Sequence, residues 1–248
     1  MISVGWFLGV ASDAIEVRRW LWADRERVSL VEREIPVKRK LVLLGNRGHA
    51  SSVADAAESS GFTVEGLIGI SSSDDQFQSL LVAIRELDLE STSLGLGIGP
   101  NHWRNTIHSE VAQAYPTAKF PSIVHASALV SPSAVLGNGA VLLAHASAGA
   151  NSQIGLGALL NTGASLDHDS TLGDFASLGP GARTGGDTSI GARTMIGLQA
   201  GILQGRIVGE DTVIGAHSLV IENIPPLSVA IGTPCRPTRS RTKNEYYD

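Results

Sequence analysis

The sequence predicts two architectures in one chain: a small α/β segment on a parallel sheet, then a parallel β-helix. Two observations carry this. Short apolar runs alternate with helical spacings in the first half, and a six-residue period holds its phase through most of the second half.

The opening stretch, MISVGWFLGVASDA, is apolar but lacks a basic leader and is too short to span a bilayer. The charged run that follows, EVRRWLWADRERVSLVEREIPVKRK, suits an amphipathic helix or a poorly ordered leader. Residues 1–38 are assigned no function, and the chain is expected to be cytoplasmic.

From Arg39, RKLVLLG reads as a buried strand, and NRGHASSVADAAESSG as a tight turn entering a helix that stops near Gly61. Val64 to Ile70 is a second strand, Gln76 to Leu87 a helix, Ser93 to Gly99 a third strand and Asn101 to Tyr115 a third helix. This β-α-β-α-β-α order implies a Rossmann-like parallel sheet over 39–118. The turn Gly45-Asn46-Arg47-Gly48-His49 lies beyond the carboxyl end of a strand, where open α/β sheets bind ligands, and the helix N-terminus after it favours an anion. Packing explains a tight βα turn equally well, because the full dinucleotide fingerprint is absent.

The hexad phase starts near KFPSIVH, which sets the second segment at 119–239. Stepping by six from Val124 to Val220, fifteen of seventeen residues are Val, Ile or Leu, and the position four later is Ala, Ser or Thr in fifteen of sixteen cases, Arg206 being the exception. Leu136-Gly137, Ile154-Gly155, Leu172-Gly173, Ile190-Gly191 and Val208-Gly209 recur every eighteen residues, so three hexads make one coil. The large aliphatic is expected to fill each flat face and the small residue a corner, with glycine supplying backbone angles closed to other residues. At strand spacing each coil rises roughly 4.8 Å, giving a prism about 30 Å long. After Val220, IENIPPLSVAIGTPCRPTR breaks the phase as a cap, and 240–248 reads as a mobile tail.

Composition narrows the partners. A formal net charge of -5 without a long basic run argues against nucleic acid or an anionic membrane, and the single Cys235 excludes an intrachain disulfide or a cysteine metal cluster. Against the monotony of the coils, SLDHDSTLGD places His168 between two aspartates. Histidine accepts a proton near neutral pH, and a neighbouring carboxylate orients the ring; sequence leaves open whether Asp167 or Asp169 does so, with Asp169 preferred. Ala150 and Gly186 lie one coil before and after His168, which clears space around the imidazole. His102, His108 and His217 read as solvated, His125 and His145 as surface or subunit-contact residues. A zinc site needs three converging histidines. The coil pattern also resembles the zinc carbonic anhydrase of this architecture, and His145 and His168 have the separation that resemblance implies, but Gly173 stands where its further histidine is expected, so no metal is assigned.

The GxxGH turn, FPSIVHASALVSPSA, the hexapeptide coils, NTGASLDHDSTLGDFASLGPGA and a late GTP together resemble the bacterial sugar acyltransferases of the sialic acid O-acetyltransferase NeuD and PglD-type family, over about residues 40 to 239. The resemblance implies a left-handed β-helix, a homotrimer, acetyl-CoA lying along the prism, and an acceptor reaching it from the N-terminal domain near a subunit junction. It further implies His168 as the catalytic base supported by Asp169. Gly45, Asn46, Arg47, Gly48, His49 and Asn161 correspond to acceptor-contacting positions, and Ser177, Gly186, Leu198 and Ala216 to the CoA cleft. Two departures stand out: Gly69 and Ile70 replace an acidic pair near the nucleotide, with Asp74 and Asp75 arriving late, and Ser177 replaces a second histidine near the thioester. The expected reaction is acetylation of the amine of a nucleotide-linked amino sugar. The alternatives are O-acetylation of a sugar hydroxyl, as in sialic acid or a polysaccharide precursor, and a non-catalytic trimeric scaffold.

Overall fold

The computed structural model describes residues 6–11, 14–19, 39–45, 48–69, 74–243 and 245. It divides into two units at Lys38/Arg39. In the first, β1 (Trp6–Ala11) and β2 (Ala14–Arg19) form an antiparallel hairpin in which Trp6 faces Arg19. A helix or disordered leader was the sequence expectation from Glu16 onward; Glu16–Arg19 instead extend β2, where paired extended backbone satisfies its polar groups. Residues 20–38 lie outside the described residues. No helix among the described residues is long and apolar enough to cross a membrane.

The second unit begins with β3 (Arg39–Leu44), α1 (Gly48–Ser59), β4 (Phe62–Ile68), α2 (Asp74–Arg85), β5 (Thr92–Leu96) and α3 (Asn101–Ala114). The sheet is parallel in the order β4-β3-β5. Central β3 reads as an apolar run because it is covered on both faces: Leu41, Leu43 and Leu44 are fully buried. Its neighbours end earlier than the apolar runs suggested, at Ile68 and Leu96, since Gly97 and Gly99 belong to the loop that turns toward α3.

From Ile123 the chain winds as a left-handed parallel β-helix of about six turns. Two-residue strands repeat on three faces. The first face stacks Ile123–Val124, Val141–Leu142, Leu159–Leu160, Ser177–Leu178, Met195–Ile196 and Val213–Ile214; the second contains Ser147–Ala148, Ser165–Leu166 and Arg183–Thr184; the third contains Gln153–Ile154, Thr171–Leu172 and Ser189–Ile190. Each coil donates to the next, as from Leu159 N–H to Ala176 O (2.9 Å) and Ser177 N–H to Thr194 O (2.9 Å). Leu142, Leu160, Leu178, Ile196 and Ile214 form one buried ladder, while Ala146, Ala164 and Ala182 fill a corner. The strand Ser228–Ile231 joins the first face and pairs with Arg236–Ser240, closing that end.

The coils correct one expectation about glycine. Left-handed backbone recurs at every sixth residue from Gly139 to His217, mostly in residues other than glycine, including Asn151 (φ 58°), Asp169 (φ 56°) and Asp187 (φ 55°). The glycines that follow the core aliphatic have another cause. A Cβ on Gly155 would stand 2.6 Å from Asp174 N, and one on Gly173 2.6 Å from Ala192 N. Those sites need close approach of successive coils rather than unusual angles.

Candidate active site

His168 and Asp169 occupy the turn after Ser165–Leu166, on the edge joining the second and third faces. The imidazole Nδ1 lies 2.8 Å from Asp169 Oδ2, and both side chains are about half exposed. Asp167 does a different job: its Oδ1 accepts the backbone N–H of His168 at 2.7 Å. The Asp169 hydrogen bond raises the pKa of His168 above its ordinary value, and the charges of Asp167, Asp169 and Asp187 add to it. A carboxylate on Nδ1 leaves Nε2 as the nitrogen that accepts a proton from a bound group.

Gly186 sits directly against this ring. A Cβ there would stand 2.3 Å from Cε1 and 2.4 Å from Nε2 of His168, with only side-chain atoms in the way. Gly186→Ala is therefore expected to tilt the ring off its seat and cut the rate roughly tenfold to a hundredfold, with little change in melting temperature. Steady-state rates and a thermal melt check this. An unchanged rate would mean that the next coil does not set the ring's position.

A separate cavity of about 450 Å³ opens beside the first face. Gly99 and Pro100, from the loop before α3, form one wall; Asn161, Ser177, Gly179, Leu198 and Ala216 belong to the other, above Leu159, Leu178, Met195 and Val213. Four of the sequence-derived residues, Asn161, Ser177, Leu198 and Ala216, thus meet here. His168, Asp169 and Gly186 are not among the lining residues. The reason is topological: the cavity's turns join the first face to the second, whereas the His168 turn joins the second to the third.

Ser177 is closed off rather than presented. Its Oγ donates to Asn101 Oδ1 (2.5 Å) and accepts from the Arg104 guanidinium (2.9 Å), and the residue is 1% exposed. Arg104, equally buried, also donates to the carbonyls of Gly157 (2.7 Å), Gly99 (2.6 Å) and Phe175 (2.9 Å), and to Asn101 Oδ1 (3.0 Å). Asn101 Nδ2 in turn donates to Thr194 O at 3.0 Å. This cluster fastens the start of α3 to three successive coils and fixes the Gly99–Pro100 wall. The aliphatic spacing of α3 predicts the helix but neither polar role; a helical Arg three residues after Asn is the one sequence signal of them.

In the GxxGH turn, Asn46 and Arg47 lie outside the described residues. Gly45 has φ 128°, its N–H donates to Ile68 O (2.8 Å), and a Cβ would lie 2.4 Å from Gly97 O, so packing alone requires glycine there. Gly48 begins α1 and is exposed. His49 packs near Gly99, with its Nε2 buried and without a hydrogen-bond partner. Burial, aided by the Arg104 charge, lowers its pKa from 6.5 to about 4. The fold favours the neutral ring over the cation, so this stability is present above pH 6.5 and is lost as pH falls toward 4. Linkage sets the loss at about 3 kcal/mol. Chemical denaturation of wild type and His49→Gln between pH 7 and 4 should show that difference; parallel curves would remove His49 as its source.

Two other histidines differ from expectation. His108 is half-buried between Phe120 and Phe175, with ring centroids 4.5 and 5.5 Å away, and burial lowers its pKa. His102 is half-buried with Nδ1 enclosed and without a hydrogen-bond partner. Both lie on parts of α3 that pack against neighbouring residues, while Ser109, Glu110 and Gln113 of the same helix face water. His217 and His145 are exposed, and His125 reaches Asp55 at 3.7 Å. Among the described residues no group of three or more His, Cys, Asp or Glu is placed to hold a metal ion.

No protein-family model matches the chain. A 38-residue segment is 50% identical to a protein named "putative acetyltransferase" from Staphylococcus aureus (strain COL); it covers 15% of this chain and 19% of that protein, so the chain spans about a fifth of the curated relatives it matches. Solved structures match over about four fifths of this chain and nearly the whole of their own. A mutant of GDP-perosamine N-acetyltransferase from Caulobacter crescentus, in complex with CoA and GDP-perosamine, is 31% identical over 81% of this chain and 97% of its own, with a TM-score of 0.73. The acetyltransferase domain of PglB from Neisseria gonorrhoeae FA1090, in complex with acetyl coenzyme A, is 30% identical over 81% of this chain and 100% of its own, with a TM-score of 0.72. WeeI from Acinetobacter baumannii AYE, 16% identical with a TM-score of 0.66 over 80% of this chain and 99% of its own, shares the fold.

Proposed function

Because this chain belongs to the hexapeptide-repeat sugar acyltransferases of the NeuD and PglD type, we propose that it moves the acetyl group of acetyl-CoA to the amine of a nucleotide-linked amino sugar, with His168 as general base. The carrying observation is the half-exposed His168–Asp169 pair at 2.8 Å, with the imidazole seated against Gly186 of the next coil. The acceptor nitrogen attacks the thioester carbonyl, its proton passes to His168 Nε2, the C–S bond breaks, and the imidazolium returns that proton to the leaving thiolate so that CoA departs as its thiol. Asp169 holds the ring's tautomer and stabilises the imidazolium.

The cavity suits a slim, flexible chain: Leu159, Leu178, Met195 and Val213 give it an apolar base, and Gly179 and Ala216 keep its far wall low. We assign it to the pantetheine arm, with Leu198 and Ala216 as its contacts. Asn161 and the turn from Gly45 to His49 belong to the acceptor side, and 39–118 is the acceptor-binding part of a cytoplasmic enzyme. The different edges of cavity and imidazole support a homotrimer, in which His168 of one copy faces the cavity of the next. Ser177 keeps no role toward the thioester in this reading, since its hydroxyl is already engaged.

The test is purified protein with acetyl-CoA and a panel of GDP-, dTDP- and UDP-linked 4-amino sugars, scored by thiol release and by mass of the product. Turnover of one amino sugar, absent with its 4-hydroxy analogue, supports N-acetylation. Silence across the panel overturns it, and turnover of hydroxyl acceptors alone selects O-acetylation.

A further inference from the structure

We propose that Asn151, one coil before the His168 turn, is a positioning residue for the transfer step: its carboxamide fixes the Asp169 carboxylate, which in turn fixes the His168 imidazole. The inference rests on the reading of His168 as the base. Asn151 Nδ2 donates to Asp169 Oδ1 at 3.0 Å, while Asp169 Oδ2 meets His168 Nδ1 at 2.8 Å. Each carboxylate oxygen therefore has its own contact, one from the preceding coil and one from its own turn.

Both contacts are exposed, and the second matters because two points of attachment restrain the carboxylate where one does not. An ion pair between side chains half open to water holds its geometry poorly, since water competes for both partners. Holding the carboxylate at two points removes its rotation, which the His168 contact alone does not. Asn151 is itself seated, its N–H donating to Ser133 Oγ at 2.9 Å, and the Asp169 N–H donates to Ala150 O at 2.8 Å. The line Asn151, Asp169, His168 thus runs along one edge of the prism, eighteen residues and one coil apart at its first step.

A left-handed turn favours asparagine, which offers a plain structural reason for Asn151. That reason does not select the residue here. Equivalent corners hold His145, Phe175, Arg193 and Gln199 in the same backbone region. Electrostatics agree with the geometry: the Asn151 hydrogen bond, followed by that of His168, holds the Asp169 carboxyl below its ordinary range. The other charges facing the ring are Asp167 on its own turn and Asp187 on the next coil.

Asn151→Gly separates the two explanations, because glycine accepts the left-handed backbone without strain and removes only the carboxamide. We expect kcat to fall about tenfold with KM for acetyl-CoA and melting temperature near wild type. A base must be unprotonated, so activity rises with pH through the His168 pKa; this acid limb should move to lower pH in Asn151→Gly. Asn151→Asp puts another carboxylate beside the pair and should move the limb to higher pH. Histidine labelled with carbon-13 at Cε1 reads the same shifts by NMR without turnover, assigned with His168→Gln. If His168→Ala is inactive while Asn151→Gly keeps the wild-type rate, limb and NMR titration, this inference fails and the base assignment stands. If His168→Ala retains full activity, both fail.

Discussion

His168→Ala should lower kcat for acetyl transfer by about two to four orders of magnitude, the usual contribution of a positioned general base. KM for acetyl-CoA should change little, because the imidazole does not line the cavity assigned to the pantetheine arm. Fold loss does not confound the result: the side chain is half exposed and the core ladder beneath it is independent of it. In wild type the rate should rise with pH along an acid limb centred above 6.5, since the Asp169 hydrogen bond and the charges of Asp167 and Asp187 raise the His168 pKa. That limb should disappear from the residual rate of the variant. Asp169→Asn, which cannot pair with an imidazolium, should move the limb downward and lower kcat less severely. A full rate in His168→Ala, measured with a verified acceptor, would end the general-base reading and favour a scaffold or another proton acceptor.

The pattern of results expected on that edge explains why it was legible from sequence. A solenoid converts distance along the chain into distance in space with one constant, eighteen residues per coil, so Gly186 could be placed beside His168 before any coordinate was known. The same constant places Asn151 beside Asp169. The α/β part offers no such constant. Its order of elements follows from apolar runs, while bounds shifted by one to three residues: two strands ended early where glycines lead into loops, β4 began at Phe62 rather than Val64, β5 at Thr92 rather than Ser93, and α2 spans Asp74–Arg85 rather than Gln76–Leu87. But Arg104 contacts Gly157 and Phe175, 53 and 71 residues away, and nothing in a local pattern distinguishes a helical arginine that faces water from one that is buried. His108 is the same case: helical spacing gave its phase on α3, while its environment came from Phe120 and Phe175 beyond the helix. The division of the site between two edges was likewise hidden. Stepping by six fixes the faces, but which faces the α/β part covers depends on the Arg104 and Asn101 contacts.

Arg104→Met should be the most damaging single substitution to the fold. Methionine keeps much of the volume and relieves the cost of a buried cation, which by itself is often neutral or stabilising. The acceptors decide the sign. The carbonyls of Gly157, Gly99 and Phe175 lose their guanidinium donor, Asn101 Oδ1 and Ser177 Oγ keep only each other, and the side chain that fills the site keeps water out. At roughly 1–3 kcal/mol for each polar group left unsatisfied, with partial relaxation, a loss of about 4 kcal/mol or more is expected. For a chain of this size that is a fall of about 10 °C in melting temperature. Arg104→Lys should recover only part of it, because one ammonium cannot reproduce the fork that spans Gly99, Gly157 and Phe175. Hydrogen exchange should localise the damage: α3 and the turns at Gly157 and Phe175 lose protection, while amides of the remote second and third faces, such as Ser147 and Thr171, keep theirs. Since Gly99 and Pro100 wall the cavity, KM for acetyl-CoA should rise in Arg104→Lys even where the protein is fully folded. Unchanged melting, exchange and KM in both variants would mean that the α/β part is held to the coils by its apolar contacts alone, through Leu96, Phe120 and Phe175.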